Sequence, residues 1–204
     1  MINLKKSIED KLESSHIDSR VLLDRLRMIS ESSRSTLAYN NSKYAPFYYY
    51  LGCEIEPKSM VEFGFRLGLL SSCFLMGCKT VKDFLAFQES SDEHYSSRLG
   101  SSNIKDHYRG NLKTYVGKVF DKEWTDMLGS RKWDIIFINE EMGYDSHMAH
   151  LDLAWLNLSE DGMIVMDYVD SHENAKEAYF NFCKVVNREP VTINTRYGVG
   201  LVQK

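Results

Sequence analysis

The absences in this chain of 204 residues narrow its class before any motif is considered. It has no basic excess: 25 lysines and arginines against 29 aspartates and glutamates leave a net charge of -4, with the two signs interspersed. A nucleic-acid partner normally requires a basic face or stripe, so none is expected. Its cysteines, Cys53, Cys73, Cys78 and Cys183, form no C-x-x-C unit, and neither His nor Cys recurs at zinc-ligand spacing. Buried free thiols in a reducing compartment are the expectation. No apolar run reaches membrane-spanning length, and the opening Met1-Ile2-Asn3-Leu4-Lys5-Lys6 leads into charge rather than a signal-peptide core. A soluble, cytoplasmic protein without a membrane partner is expected. There is no internal repeat and no low-complexity tract, and the length suits one well-buried core better than two.

Two parts can be distinguished in what remains. From Ser7 to about Arg34 the apolar residues Ile8, Leu12, Ile17, Val21, Leu22, Leu26 and Ile29 recur at three- and four-residue steps among charges, which predicts one or two amphipathic helices. Ser15-His16-Ile17-Asp18 supplies a capping-type start for the second. The stretch Ser30 to Ser42 is rich in Ser and Asn and without apolar period, so it reads as a linker. Residues 1–42 are therefore expected to form a helical appendage and linker, and residues 43–204 an α/β domain. The aromatic cluster Tyr44-Ala45-Pro46-Phe47-Tyr48-Tyr49-Tyr50-Leu51 predicts a short helix packed on a sheet, with Pro46 tolerated in its first turn. A stacking platform for a planar substrate is the alternative.

After Pro57 strand and helix signals alternate. Strands are predicted at Ser59 to Phe63, Val81 to Phe87, Thr114 to Val116, Trp133 to Asn139, Met163 to Tyr168, Val191 to Thr195 and Val199 to Gln203. Helices are predicted at Leu69 to Met76, Ser91 to Tyr108, Asp121 to Leu128, Ser146 to Leu156 and Ser171 to Val186. The alternation implies a mostly parallel sheet covered on both faces, Rossmann-like in type. Arg196-Tyr197-Gly198 is short enough to join the last two strands as a hairpin, giving a C-terminal antiparallel strand.

The chemistry should sit after the first strand. In Met60-Val61-Glu62-Phe63-Gly64-Phe65-Arg66-Leu67-Gly68 an apolar strand carries an acid and turns through two glycines into the helix that begins at Leu69. Glycine lets backbone N–H groups approach a ligand at the carboxyl end of a strand, although a plain βα turn uses the same glycines for shape alone. The dinucleotide spacing G-x-G-x-x-G is absent. Three further segments bear on the reading. Pro57-Lys58-Ser59 precedes that strand. Trp133-Asp134-Ile135-Ile136-Phe137-Ile138-Asn139 is followed by Tyr144 and the helix Ala149 to Trp155. Leu158-Ser159-Glu160-Asp161-Gly162 leads into the apolar strand ending at Asp167-Tyr168.

In this order and spacing the segments resemble the class I S-adenosylmethionine-dependent methyltransferases, over roughly Glu56 to the C-terminus. The branch most similar is the small-molecule O-methyltransferases, whose glycine loop takes the form E-I-G-x-x-x-G. The resemblance implies S-adenosylmethionine as cofactor and a small-molecule acceptor. It places the backbone of Gly64, Phe65 and Gly68 against the methionine part and Glu62 toward its amino group. Gln88 or Glu89 falls where the family holds both ribose hydroxyls, a task that suits a carboxylate. Phe120 and Asp121 fall at the adenine position. Asn139, Glu141 and Asp167 occupy the places where metal-dependent members bind a divalent cation such as magnesium, a role that needs several oxygen ligands. Asp167, Glu141 and His172 are candidate catalytic groups for removing a proton from a hydroxyl acceptor, with His147 across the mouth.

The sequence departs from the family pattern at three points. Gln88 stands where an acid is usual, Asn139 replaces an aspartate, and Met142 takes the place of a lysine or histidine base. These departures motivate a second expectation, a methyltransferase-like binding or regulatory module that no longer catalyses. A nucleotide-binding enzyme of different chemistry is a third, since this sheet hosts many activities. Glu140 and Glu141 read as a solvated loop at a helix start. His94, His107 and His150 fall on predicted helices as surface residues. The N-terminal helices and the Tyr-rich segment are candidates for a lid or for a homodimer interface, between which sequence does not choose.

Overall fold

The structure, a computed structural model, describes residues 1–14, 43–89, 94–105, 107–140 and 142–204. The predicted second N-terminal helix and the linker fall in residues 15–42, outside the described residues. Among the described residues seven helices and seven strands follow one another: α1 (Ile2–Ser14), α2 (Tyr44–Glu54), β1 (Ser59–Phe63), α3 (Leu69–Gly77), β2 (Asp83–Gln88), α4 (His94–Lys105), β3 (Asn111–Val116), α5 (Lys122–Gly129), β4 (Trp133–Ile138), α6 (Tyr144–Asn157), β5 (Leu158–Asp167), α7 (Glu173–Val185), β6 (Val191–Ile193) and β7 (Val199–Gln203). One sheet runs in the order β3-β2-β1-β4-β5-β7-β6. Strands β1 to β5 are parallel, and β7 pairs antiparallel with both β5 and β6. This is the expected Rossmann-like sheet with its C-terminal antiparallel hairpin.

β1 and β4 lie at the centre and are apolar on both faces, because helices cover each side. Met60, Phe84, Phe137 and Val165 join one core under α2 and α3. Val61, Phe63, Ile136, Ile138 and Met166 join the other, with Trp124, Leu151 and Phe182 from α5, α6 and α7. Burying each such side chain stabilises the fold by roughly 1.5–3 kcal/mol. α1 lays Ile8 and Leu12, the apolar positions of its sequence period, into the first core, and Lys11 pairs with Glu54 of α2.

The Tyr-rich segment is α2, and its side chains Tyr44, Phe47, Tyr48 and Leu51 are buried in the first core. α2 and α3 pack closely because Gly77 has no side chain; a Cβ there would overlap the Tyr49 carbonyl oxygen. That close approach brings Tyr48 down onto Phe137 of β4, with ring centroids 5.9 Å apart.

Some boundaries differ from the sequence expectation. β3 begins at Asn111 rather than Thr114, since it is an edge strand whose exposed Asn111 and Lys113 hide the apolar alternation. β5 begins at Leu158, because Leu158 already pairs with Trp133 before a register shift. Cys73, Cys78 and Cys183 are buried thiols as expected, whereas Cys53, on the outer side of α2, is exposed. Among the described residues no helix is long and apolar enough to cross a membrane.

Candidate functional site

The carboxyl ends of β1, β2, β4 and β5 converge on the loop that follows β1. The backbone turns there through three positive φ angles: Gly64 at 81°, Arg66 at 41° and Gly68 at 65°. Gly64 admits no other residue, since an added Cβ would overlap the Asn139 carbonyl oxygen and Glu140 Cγ on the β4 side. The loop is held from several sides. The Gly64 and Phe65 N–H groups both donate to the Phe87 carbonyl at 3.0 Å, and the Gly68 N–H donates to the Phe65 carbonyl at 2.7 Å. The Arg66 N–H donates to Gln88 Oε1 at 2.6 Å, and Asn103 Nδ2 of α4 donates to the Leu67 carbonyl at 3.1 Å. The Phe65 side chain is buried in the core against Phe84.

Glu62, the acid of β1, is fully buried. The Ser71 hydroxyl from the first turn of α3 donates to Oε2, and Asn139 Nδ2 donates to Oε1 at 3.4 Å. Burial pushes its pKa up to about 8, the Asp167 and Glu140 charges push the same way, and the two hydrogen bonds oppose them. Among the described residues no cation contributes to the balance.

Asp167 ends β5 and is 1% exposed. Burial pushes it up to about 7, against which the Tyr48 and Tyr44 hydroxyls of α2 favour the ionised form. These phenols face the carboxyl without reaching it in full hydrogen-bonding geometry: neither Asp167 oxygen has a completed hydrogen bond, nor does the Tyr48 hydroxyl. They are therefore close enough to bias its protonation but are not ordinary hydrogen bonds. Tyr168, the next residue, has φ at 68° and packs its ring between Tyr197 and His172, at 5.3 and 5.2 Å.

The other predicted residues separate by position. Gln88 is buried, with its carbonyl oxygen committed to Arg66, while Glu89 just beyond the strand end is exposed. Phe120 is 67% exposed on the loop after β3. Asp121 accepts hydrogen bonds at 2.8 Å from both the Lys118 N–H and the Tyr115 hydroxyl, which hold its carboxyl below its ordinary range and fix that loop. Asn139 is half-buried at the end of β4. His172 stands half-buried as the N-cap of α7. Glu141 lies outside the described residues. Gly64, Glu62, Asn139 and Asp167 thus come together at the sheet's carboxyl end, and Phe120 and Asp121 lie on the loop leaving β3.

Two sequence expectations are corrected. Glu140 and His150 are not surface residues: Glu140 is 7% exposed, His150 is 1% exposed, and His150 Nδ1 lies 3.2 Å from Glu140 Oε2. The His150 ring also packs on Phe63 at 5.0 Å, so the helix face that carries it is the inner one. His147, one turn earlier, is buried with neither ring nitrogen partnered, and burial lowers its pKa to about 4. The sequence reading missed the Tyr44 and Tyr48 approach to Asp167 altogether. Only the aromatic run itself hinted that α2 had a second task.

The architecture has known counterparts. No protein-family model and no curated protein matches the chain's sequence. Solved structures do match its fold. The S-adenosylhomocysteine-bound methyltransferase PaMTH1 of Podospora anserina aligns over 96% of this chain and 93% of its own, at 13% identity and a TM-score of 0.67. The O-methyltransferase of Bacillus cereus in complex with S-adenosylhomocysteine aligns over 100% and 99%, at 12% identity and a TM-score of 0.64. The O-methyltransferase TomG of Streptomyces achromogenes, involved in tomaymycin synthesis and solved with S-adenosylmethionine, aligns over 98% and 96%, at 11% identity and a TM-score of 0.65. The chain has the fold of the class I S-adenosylmethionine-dependent methyltransferases.

Proposed function

We propose that this protein is an S-adenosylmethionine-dependent methyltransferase acting on a small molecule, with oxygen as the acceptor atom. The observation that carries the reading is Glu62. It is a fully buried carboxyl with no cationic partner among the described residues, beside a glycine turn that leaves no room for a Cβ. Keeping such a group costs stability, and a ligand that brings a positive charge offsets that cost. The cofactor's ammonium fits the requirement, and the solved structures of the same fold that carry S-adenosylmethionine or S-adenosylhomocysteine support it.

The geometry supports the following roles. Glu62, oriented by Ser71 and Asn139, holds the ammonium; the Gly64, Phe65 and Gly68 backbone lies along the methionine part. Glu89 rather than Gln88 holds the ribose hydroxyls, because the Gln88 carbonyl is engaged by Arg66 while the Glu89 carboxylate is exposed. Phe120 covers the adenine, and Asp121 fixes the loop that presents it. When bound, the cofactor supplies a methyl group activated by its sulfonium. His172 and Asp167 are the described groups able to take a proton from an acceptor hydroxyl, with Glu141 a third candidate. Positioning provides most of the acceleration and the base the remainder.

A second reading, a binding module that does not catalyse, is favoured by one observation. Asp167 is enclosed by tyrosines rather than open to an acceptor. Calorimetric titration with S-adenosylmethionine tests the cofactor site, and methyl transfer from labelled cofactor to a panel of phenols and alcohols separates the two readings. Binding with turnover lost in His172→Ala or Asp167→Ala supports the enzyme. Binding without transfer to any acceptor supports the module.

A further inference from the structure

α4 meets the glycine turn with a glycine and a buried amide in place of apolar side chains. Its C-terminal half is anchored in the first core: Ile104 is fully buried there, and Tyr108, just beyond the helix, meets Phe84 edge-on at 6.3 Å. That anchoring lays Gly100 on the turn, where an added Cβ would stand 2.6 Å from the Arg66 carbonyl oxygen, 2.9 Å from the Leu67 carbonyl carbon and 3.0 Å from the Gly68 nitrogen. The approach is reciprocal, since a Cβ on Gly68 would stand 3.2 Å from the Gly100 carbonyl oxygen. Three residues on, and so on the same helix face, Asn103 is 5% exposed and donates Nδ2 to the Leu67 carbonyl at 3.1 Å. Backbone packed on backbone leaves the turn no room to shift toward α4.

The donors of the turn are nearly all committed within the protein. The Gly64 and Phe65 N–H groups donate to Phe87, that of Arg66 to Gln88 and that of Gly68 to Phe65, whereas the Leu67 N–H has no acceptor among the described residues. The Arg66 carbonyl oxygen is the atom nearest Gly100 and so faces α4; across a trans peptide the Leu67 N–H then points the opposite way. We propose that Asn103 is a positioning residue for this turn: with Gly100 it fixes the two peptides around Leu67, so that the Leu67 N–H is held away from α4 as the donor for the carboxylate of the cofactor's methionine part. A donor oriented before the ligand arrives strengthens binding, because no ordering of the turn is then charged against association. The proposal rests on the methyltransferase reading for the identity of the ligand, while the grip of α4 on the turn is testable without one.

Three measurements on the full chain decide it. Asn103→Asp keeps the size of the side chain and removes the donor. Calorimetric affinity for S-adenosylhomocysteine should fall about tenfold in Asn103→Asp and in Asn103→Ala, with affinity for methylthioadenosine, which lacks the amino-acid part, unchanged. An equal loss for both nucleosides, or S-adenosylhomocysteine affinity intact in both variants, would overturn the proposal. In the unaltered protein the Leu67 amide proton should move downfield at saturating S-adenosylhomocysteine, further than those of Gly64, Phe65 and Gly68; a Leu67 amide that stays in place contradicts the donor role, and this reading needs no variant to fold. Without ligand, the Leu67 carbonyl 13C resonance should move in Asn103→Asp, and an unmoved resonance contradicts the grip of α4. Should S-adenosylhomocysteine not bind the unaltered protein, the methyltransferase reading fails and the donor role with it, whereas the carbonyl resonance still decides whether Asn103 holds the turn.

Discussion

The two ends of the sheet treat their carboxylates in opposite ways. At the amino end, Asp134 of β4 accepts the backbone N–H groups of Lys58 and Ser59 at 2.7 and 3.0 Å, and the Ser159 hydroxyl at 3.4 Å. It stitches the starts of β1 and β5 to β4 and is supplied with donors. At the carboxyl end, Glu62 and Asp167 are buried with few donors, with no cation among the described residues, and with pKa values pushed up to about 8 and 7. One carboxylate serves the fold; the other two are kept at a cost to it. Stability surrendered at the carboxyl ends of parallel strands, where ligands of such sheets bind, is the signature of a site built for something absent from the chain itself.

Breaking the carboxyl end should have the largest effect. Gly64→Arg places a side chain on the Asn139 carbonyl at a left-handed φ. S-adenosylhomocysteine binding should vanish in calorimetry, with a stability loss of about 1–3 kcal/mol in urea. Next come the acids themselves, which should respond in opposite senses. Asp134→Ala strips two backbone N–H groups of their acceptor and should cost about 1–3 kcal/mol with cofactor affinity unchanged. Glu62→Gln should instead leave the protein more stable at pH 8 while weakening S-adenosylhomocysteine binding about tenfold. If both substitutions destabilise equally and neither touches binding, the contrast between the two ends is wrong.

The pH dependence sharpens the same contrast. Burial raises Glu62 from 4.5 to about 8 and Asp167 from 3.8 to about 7, so between those values the folded protein holds protons that the unfolded chain has lost. Stability from these groups must fall as pH climbs through the window. His147 acts in the other direction, since burial lowers it from 6.5 to about 4 and its contribution rises with pH up to its unfolded value. Between pH 6.5 and about 8, of these three groups only the two carboxyls still differ in protonation between the folded and unfolded chain. The melting temperature should decline from there to about pH 8, and the decline should flatten in Glu62→Gln combined with Asp167→Asn. The smallest effect expected is at Arg66, whose φ of 41° disfavours a side chain. Arg66→Gly should gain about 0.5 kcal/mol in urea unfolding.

Much of this organisation could be read from local pattern. The glycine turn after Phe63, the apolar fourth strand, the Gly162-to-Asp167 strand and the terminal hairpin each lie within a dozen residues, where periodicity and turn chemistry act directly. Ile8 and Leu12 were equally visible from their spacing on α1. The contacts that cross the chain were hidden. Tyr48 packs on Phe137 of β4 from far earlier in the chain, and nothing in a helix with aromatics on several sides says which of its faces meets the sheet. His150 was misplaced for a related reason: α6 buries the polar His147 and His150 and exposes the apolar Leu156, so no apolar stripe marks its inner face. Gln88 was legible as a departure, but its use as an acceptor for the Arg66 N–H depends on a loop conformation that spacing alone does not specify.

The most direct test of the account is calorimetric titration of the purified protein with S-adenosylhomocysteine, beside Gly64→Arg and Glu62→Gln. Saturable micromolar binding that disappears in the first variant and weakens in the second is the predicted result. An absence of binding, or binding that both variants leave intact, would contradict the claim that the glycine turn and the buried Glu62 form a cofactor site.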